Sequence, residues 1–258
     1  MPPLASVGGQ VALDLGGSGG LGLAFARALL DRPEVERVVV TSRQPEASET
    51  LVQLHAERGN AVLPIRLDVR DERSIAAAAE RVADACGPRL HWLLNCAGVL
   101  HDGADIRPEK KLEQVDAAKL RAVFEVNAFG PLLVARHFFP LLAHDERAVL
   151  ANVSARVGSI GDNYAGGWYA YRASKAAQNM FTANLAIELG RRAPNVICLA
   201  LHPGTVDTAL SKPFSSRVPA DRLFRPSRSA RYLLGVIDDL TPVATGGFFA
   251  WDGTPIED

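Results

Sequence analysis

A short apolar run that breaks into a cluster of glycines and restarts at once as a helix leaves a chain few folds to choose from. Here Val11-Ala12-Leu13-Asp14-Leu15 reads as a buried strand, and Gly16-Gly17-Ser18-Gly19-Gly20-Leu21-Gly22 follows directly. A helical pattern then runs through Leu30. Glycines let a backbone turn tightly and approach a ligand, while a helix N-terminus offers free N–H groups and a partial positive charge. Strand, glycine turn and helix in this order predict a nucleotide phosphate cradle built from Gly16, Ser18, Gly19, Gly20, Leu21 and Gly22. Without its flanking elements the glycine cluster would read as a flexible turn.

The alternation continues. Val38–Ser42 forms a second strand ending at Arg43, where an acid would favour the ribose hydroxyls of NAD(H) and a cation accommodates a 2′-phosphate. NADP(H) is therefore preferred, with NAD(H) left open; the competing reading of Arg43 is a solvated surface charge. A helix from about Ser48 to Arg58 closes at Gly59, and a strand from Val62 to Leu67 ends at Asp68-Val69. Ser74 reads as the N-cap of a helix reaching Cys86, and Leu90–Leu94 leads into Asn95-Cys96-Ala97-Gly98. Strands alternating with helices predict an α/β fold: a single Rossmann-type domain over residues 1–258, with a doubly wound parallel sheet of about seven strands and helices on both faces. Ligands then sit at the carboxyl ends of the strands.

Further along, Asp116–His144 is helical, with a kink or break expected at Gly130-Pro131, and it carries Asn127. Ala148–Val153 is a strand ending at Ser154, and a helix continues to about Arg192 beyond the loop Asp162–Trp168. Val196–Leu201 leads into His202-Pro203-Gly204-Thr205-Val206-Asp207-Thr208. Residues 209–225 contain prolines and little periodicity, which suggests a substrate lid. A last helix from about Ser227 to Asp239 and a strand from Gly247 to Ala250 complete the pattern.

Within Tyr171-Arg172-Ala173-Ser174-Lys175, Tyr171 and Lys175 are four residues apart and share a helix face. A tyrosine titrates near pH ~10, and a neighbouring ammonium favours its phenolate, which predicts a lowered pKa and proton transfer near neutrality. The spacing alone is common in helices, so its weight comes from the surrounding motifs.

A net charge of −1 over 258 residues supplies no field for nucleic acid or an anionic membrane, so any partner is a small molecule held in a site. Cys86, Cys96 and Cys198 are too scattered for a disulfide framework or a zinc site, which points to a reducing compartment and no metal. Met1–Ser6 lacks a basic segment followed by an apolar run, and Arg136 and His137 interrupt the longest apolar stretch. A cytoplasmic protein without an export signal or membrane span is expected.

Gly16-x-x-x-Gly20-x-Gly22, Asp68, Asn95-Cys96-Ala97-Gly98, Asn127, Ser154, Tyr171-x-x-x-Lys175 and Pro203-Gly204 together resemble the short-chain dehydrogenase/reductases over nearly the whole chain. Trp168–Lys175, His202–Thr208 and Phe248–Gly253 are most similar to the C-factor and sniffer-type carbonyl reductases within that family. The resemblance implies hydride transfer between NADP(H) and a small carbonyl or alcohol. Tyr171 would be the proton donor or acceptor, Lys175 would tune it and hold the nicotinamide ribose, Ser154 would bond the substrate oxygen, and Asn127 would hold a relay water. Asp68 and Val69 would flank the adenine; Asn95, Ala97 and Gly98 would support the cofactor; Pro203, Gly204, Val206 and Thr208 would surround the carboxamide. A homodimer or homotetramer built through the helices near Asp116 and Tyr171 is also implied.

Three positions depart from the family pattern: Leu15 stands where threonine is usual, Cys96 replaces an asparagine, and Asp14 places a carboxylate in an apolar strand. Burial predicts that Asp14 finds a polar partner or carries a raised pKa. Trp168, Phe214 and Phe224 are candidates for an apolar substrate pocket. The alternative function is a nucleotide-binding signalling or scaffold protein with little turnover, since fold alone does not fix activity.

Overall fold

The computed structural model describes residues 9–257; Met1–Ser6, read above as free of an export signal, lie outside the described residues. Alternation along β1 (Gln10–Leu15) sends Val11, Leu13 and Leu15 into one core and Ala12 into another, which places Asp14 on the Ala12 side. The elements then follow as α1 (Gly20–Leu30), β2 (Val35–Ser42), α2 (Glu49–Arg58), β3 (Val62–Arg66), α3 (Glu72–Cys86) and β4 (Trp92–Asn95). After α4 (Ala117–Phe124) and α5 (Gly130–Leu142) come β5 (Ala148–Val153), α6 (Tyr169–Arg192) and β6 (Val196–His202). The chain closes with β7 (Thr205–Val206), β8 (Leu223–Phe224), α7 (Pro226–Asp239) and β9 (Phe248–Ala250).

Seven strands form one sheet in the order β3-β2-β1-β4-β5-β6-β9, with every pair parallel. The order reverses between β1 and β4, and a crevice opens at such a switch point. Phe138, Leu142 and Ile75 fill one face, whereas Phe25, Leu29, Leu233 and Ile237 fill the other. Burial on both faces explains why the strands read as continuous apolar runs. β7 and β8 pair separately, with Thr205 opposite Leu223 and Val206 opposite Phe224, so both ends of residues 207–222 are tied to one small ribbon.

Local chemistry adjusts two boundaries. Asp71, one residue before α3, accepts from the Arg73 N–H at 3.0 Å and is the cap, while Ser74 Oγ accepts from the Asp68 N–H at 3.0 Å. Ser74 therefore secures the end of β3 and does not start the helix. The expected bend between α4 and α5 is a π-helical turn, Glu125–Phe129, centred on Asn127; Gly130 and Pro131 open α5 behind it. Gly130 is required there, because a Cβ would stand 2.8 Å from the Val69 Cβ. Among the described residues no helix is long and apolar enough to cross a membrane.

Candidate active site

The glycine turn works by close approach. Gly16 has φ 83°, and a Cβ on Gly22 would lie 2.7 Å from the Gly16 carbonyl oxygen, so a side chain there would push α1 off the turn. Gly19, at the helix N-cap, faces open space; no side chain caps α1, and no acid sits in its first turn. Uncapped N–H groups in an opening free of negative charge fit the pyrophosphate of a dinucleotide.

Two cavities, of about 610 and 580 Å³, meet at this turn and share Gly16, Ser18, Cys96, Ala97 and Gly98 as walls. Arg43, Asp68 and Val69 line the smaller one. Arg43 is exposed at its rim. Arg70 also lines it and grips Asp68 through Nε at 3.0 Å and Nη2 at 2.7 Å, holding that carboxyl below its usual range. Sequence reasoning passed over Arg70, although a cation two residues beyond Asp68 was the available signal. The larger cavity collects Gly19, Gly20, Leu21, Gly22, Ser154, Tyr171, Lys175, Pro203, Gly204, Val206 and Thr208, segments far apart in the chain.

Tyr171 owes its place to the start of α6. Trp168 precedes the helix in a left-handed conformation with φ 51°, and buried Glu109 accepts from the Ala170 N–H at 3.2 Å through Oε2. Glu109 is a cap supplied from a distant loop, with no local sequence signal. Lys175 is buried one turn further on; its Nζ donates to the Val153 carbonyl at 2.8 Å and to Gln178 Oε1 at 2.9 Å. Burial pushes the Tyr171 phenol up to about 12 and brings Lys175 down to about 7. The expected lowering of Tyr171 by Lys175 is thus not present in this structure. The ammonium is itself disfavoured by burial, is engaged by two other acceptors, and lies 6.0 Å from the phenol ring centroid.

Ser154 Oγ donates to Asn179 Oδ1 at 2.6 Å, and Asn179 Nδ2 is buried without a partner among the described residues. Asn127 and Asn95 line neither cavity. Asn127 Nδ2 donates to the Val99 carbonyl at 2.8 Å and to Ser174 Oγ at 3.0 Å, while its Oδ1 accepts from the Val99 N–H at 2.8 Å. Both amide hydrogens are engaged, so the side chain ties the segment after Gly98 to α6. Asn95 Nδ2 donates to Asn152 Oδ1 at 3.1 Å, and Asn152 Nδ2 to Thr182 Oγ1 at 3.0 Å, linking β4, β5 and α6. Gln178, Asn179, Asn152 and Glu109 were not anticipated as neighbours of the site, because each meets its partner only through the tertiary fold.

The wall beyond Tyr171 is apolar. Trp168 packs at 6.3 Å from Tyr171 and 5.0 Å from Phe214, with Leu100, Leu210 and Val218 also on this cavity. Phe224 does not join them. It packs 4.7 Å from Trp251 and sits against Gly204, where a Cβ would meet its ring at 2.7 Å, so it anchors the β7–β8 ribbon.

Asp14 is fully buried, neither carboxyl oxygen has a hydrogen-bond partner among the described residues, and its pKa is pushed up to about 8 by burial. The Cys96 thiol faces it and offsets part of that shift without a formed hydrogen bond. The raised pKa is the second of the two outcomes expected for a carboxylate in this strand.

Residues 10–218 match the model of the short chain dehydrogenase family. The chain is 33% identical to 1-hydroxy-2-glutathionyl-2-methyl-3-butene dehydrogenase of Rhodococcus sp. (strain AD45), over 95% of this chain and 98% of that protein. Among solved structures it is similar to the NADPH-bound carbonyl reductase from chicken fatty liver, with a TM-score of 0.85, 26% identity, and 98% of this chain and 96% of that one covered. The carbonyl reductase Sniffer of D. melanogaster gives a TM-score of 0.84 at 26% identity, covering 96% of this chain and 99% of that one.

Proposed function

The chain belongs to the short-chain dehydrogenase family, and from that premise we propose that it transfers hydride between NADP(H) and a small, apolar carbonyl or alcohol. The observation that carries this reading is the convergence of Ser154, Tyr171 and Lys175 on the cavity wall that runs into the uncapped glycine turn. The NADPH-bound carbonyl reductase among the similar structures supports the choice of cofactor and reaction.

The turn residues Gly16, Ser18, Gly19, Gly20, Leu21 and Gly22 hold the pyrophosphate, and Arg43 faces the 2′-phosphate with Arg70 nearby. Asp68 and Val69 flank the adenine, Ala97 and Gly98 form the floor, and Asn95 braces that floor from beneath. Pro203, Gly204, Val206 and Thr208 surround the carboxamide. When bound, the nicotinamide supplies or accepts the hydride. Tyr171 gives its phenol proton to the carbonyl oxygen during reduction and takes it back during oxidation. Ser154 donates to the same oxygen, where charge grows in the transition state, and Lys175 holds the nicotinamide ribose. Asn127 fixes the bend that sets Val99 and Ser174.

Residues 209–225 form a lid hinged on the β7–β8 ribbon, with Phe214 over the substrate. Self-association uses the α4–α5 and α6 faces, where Phe129, Met180 and Ile187 are exposed.

The test is oxidation of NADPH and of NADH by the purified protein over a panel of apolar aldehydes and ketones. Turnover with NADPH preferred, and that preference lost in Arg43→Ala, is the expected result. Tight cofactor binding with no turnover of any carbonyl or alcohol would instead favour the non-catalytic binder.

A further inference from the structure

A serine hydroxyl has a single hydrogen to give. Hydride transfer as read above needs Ser154 to direct that hydrogen at the substrate oxygen, yet here it goes to Asn179 Oδ1 at 2.6 Å. The other end of the same amide, Nδ2, is buried and has no acceptor, although Asn179 is only 6% exposed. Orphaned buried N–H groups are rarer than under-satisfied carbonyl oxygens. Both irregularities have one remedy. The terminal torsion of an asparagine is broad and roughly two-fold, so half a turn exchanges Oδ1 and Nδ2 while the side chain keeps its volume.

We propose that Asn179 is a positioning residue that sets the direction of the Ser154 hydroxyl: in the reactive state its Nδ2 donates to Ser154 Oγ, which frees the serine hydrogen to point at the carbonyl oxygen. Helical spacing puts it there, since Tyr171, Lys175, Asn179 and Thr182 lie at intervals of four, four and three along α6 and share its buried face. Asn179 lines neither cavity. It acts on the reaction only by choosing which of two states Ser154 occupies: hydrogen turned inward, as the contact with Asn179 Oδ1 requires, or outward. The inference rests on the hydride-transfer reading of Ser154 and Tyr171.

Steady-state kinetics with NADPH and a carbonyl substrate on the full chain test it through Asn179→Asp and Asn179→Leu, each alone and combined with Ser154→Ala. A carboxylate only accepts once it is ionised, so Asn179→Asp, assayed above the pH at which its carboxyl titrates, holds the serine hydrogen inward, whereas Asn179→Leu leaves the hydroxyl to orient itself. Loss of one donor to a developing oxyanion lowers kcat by about 10²–10³-fold, so kcat falls on the order of 10²-fold in Asn179→Asp. A loss of about tenfold is expected in Asn179→Leu, with KM little changed in both. On the Ser154→Ala background neither substitution lowers kcat further. A larger loss in Asn179→Leu than in Asn179→Asp, or equal losses with and without Ser154, overturns the proposal. Should Asn179→Asp fail to fold, Asn179→Ala with and without Ser154→Ala carries the same cycle: equal losses on both backgrounds reject it. Wild-type protein without carbonyl turnover sinks the hydride-transfer reading and this inference together, a result seen before any substitution is made.

Discussion

The two faces of one sheet treat buried polarity in opposite ways. On the side covered by α4 to α6, Asn95, Asn152 and Thr182 pass hydrogen bonds from one to the next, Asn127 and Ser174 form a second linked pair, and both sets end on the backbone. On the side of Ala12, Phe25 and Leu233, Asp14 stands among apolar groups with both oxygens unpaired. A connected set rigidifies what it joins, here the strand ends and the helix that carries Tyr171 and Lys175, whereas an isolated carboxyl escapes its desolvation only by keeping a proton. The comparison also isolates Gln178 and Asn179, whose amide nitrogens are unpaired although they belong to the connected side and touch Lys175 and Ser154.

The sharpest way to break the contrast is Asn127→Leu. It strands the partly buried Val99 N–H and carbonyl, while the Ser174 hydroxyl keeps its bond to the Tyr171 carbonyl; each unsatisfied buried group costs about 1–3 kcal/mol, so a loss of about 3 kcal/mol is expected in urea unfolding at neutral pH. A change below about 1 kcal/mol would show that the connected side is not cohesive. The opposite sign is expected for Asp14→Asn. The folded pKa of Asp14 stands above its usual 3.8 at about 8, so the folded state binds the extra proton between these values and stability falls as pH rises through them. Near pH ~4 the new amide replaces a carboxyl that is already neutral, so little changes there, whereas from about pH 8 upward removing the titration stabilises by a few kcal/mol. Equal stability differences at both pH values would contradict a protonated Asp14. The smallest effect belongs to Cys96→Ser. A hydroxyl donates better than a thiol, so the alkaline loss of stability should shrink by about 1 kcal/mol in the same pH series, and an unchanged profile would remove Cys96 from the account.

Much of this was legible from the sequence because the decisive signals are local. The glycine turn needs only Gly16 to Gly22 and its two flanking elements, and the Tyr171–Lys175 spacing needs one helical turn, so both landed on the same cavity. The parallel sheet followed from strands alternating with helices, and an interruption at Gly130-Pro131 was visible, though not its form as a π-helical turn over the five residues before it. What escaped depends on contacts between distant segments. Glu109 caps α6 from 61 residues away, and Asn179 reaches Ser154 across 25. Phe224 looked like a pocket residue by composition, yet β7–β8 pairing turns it onto Trp251. Helical stacking suggested that Lys175 would lower the Tyr171 pKa, but spacing carries no information about burial, and burial moves both groups the other way.

Proton transfer from Tyr171 is the step on which the proposed reaction turns, and Tyr171→Phe addresses it with the loss of one oxygen atom. Single-turnover oxidation of bound NADPH by a carbonyl, measured beside NADPH affinity, should show the rate falling by about 10²–10⁴-fold while affinity stays close to wild type. A wild-type rate in Tyr171→Phe would contradict the account, because the phenol would then be a wall of the cavity and not the acid at its centre.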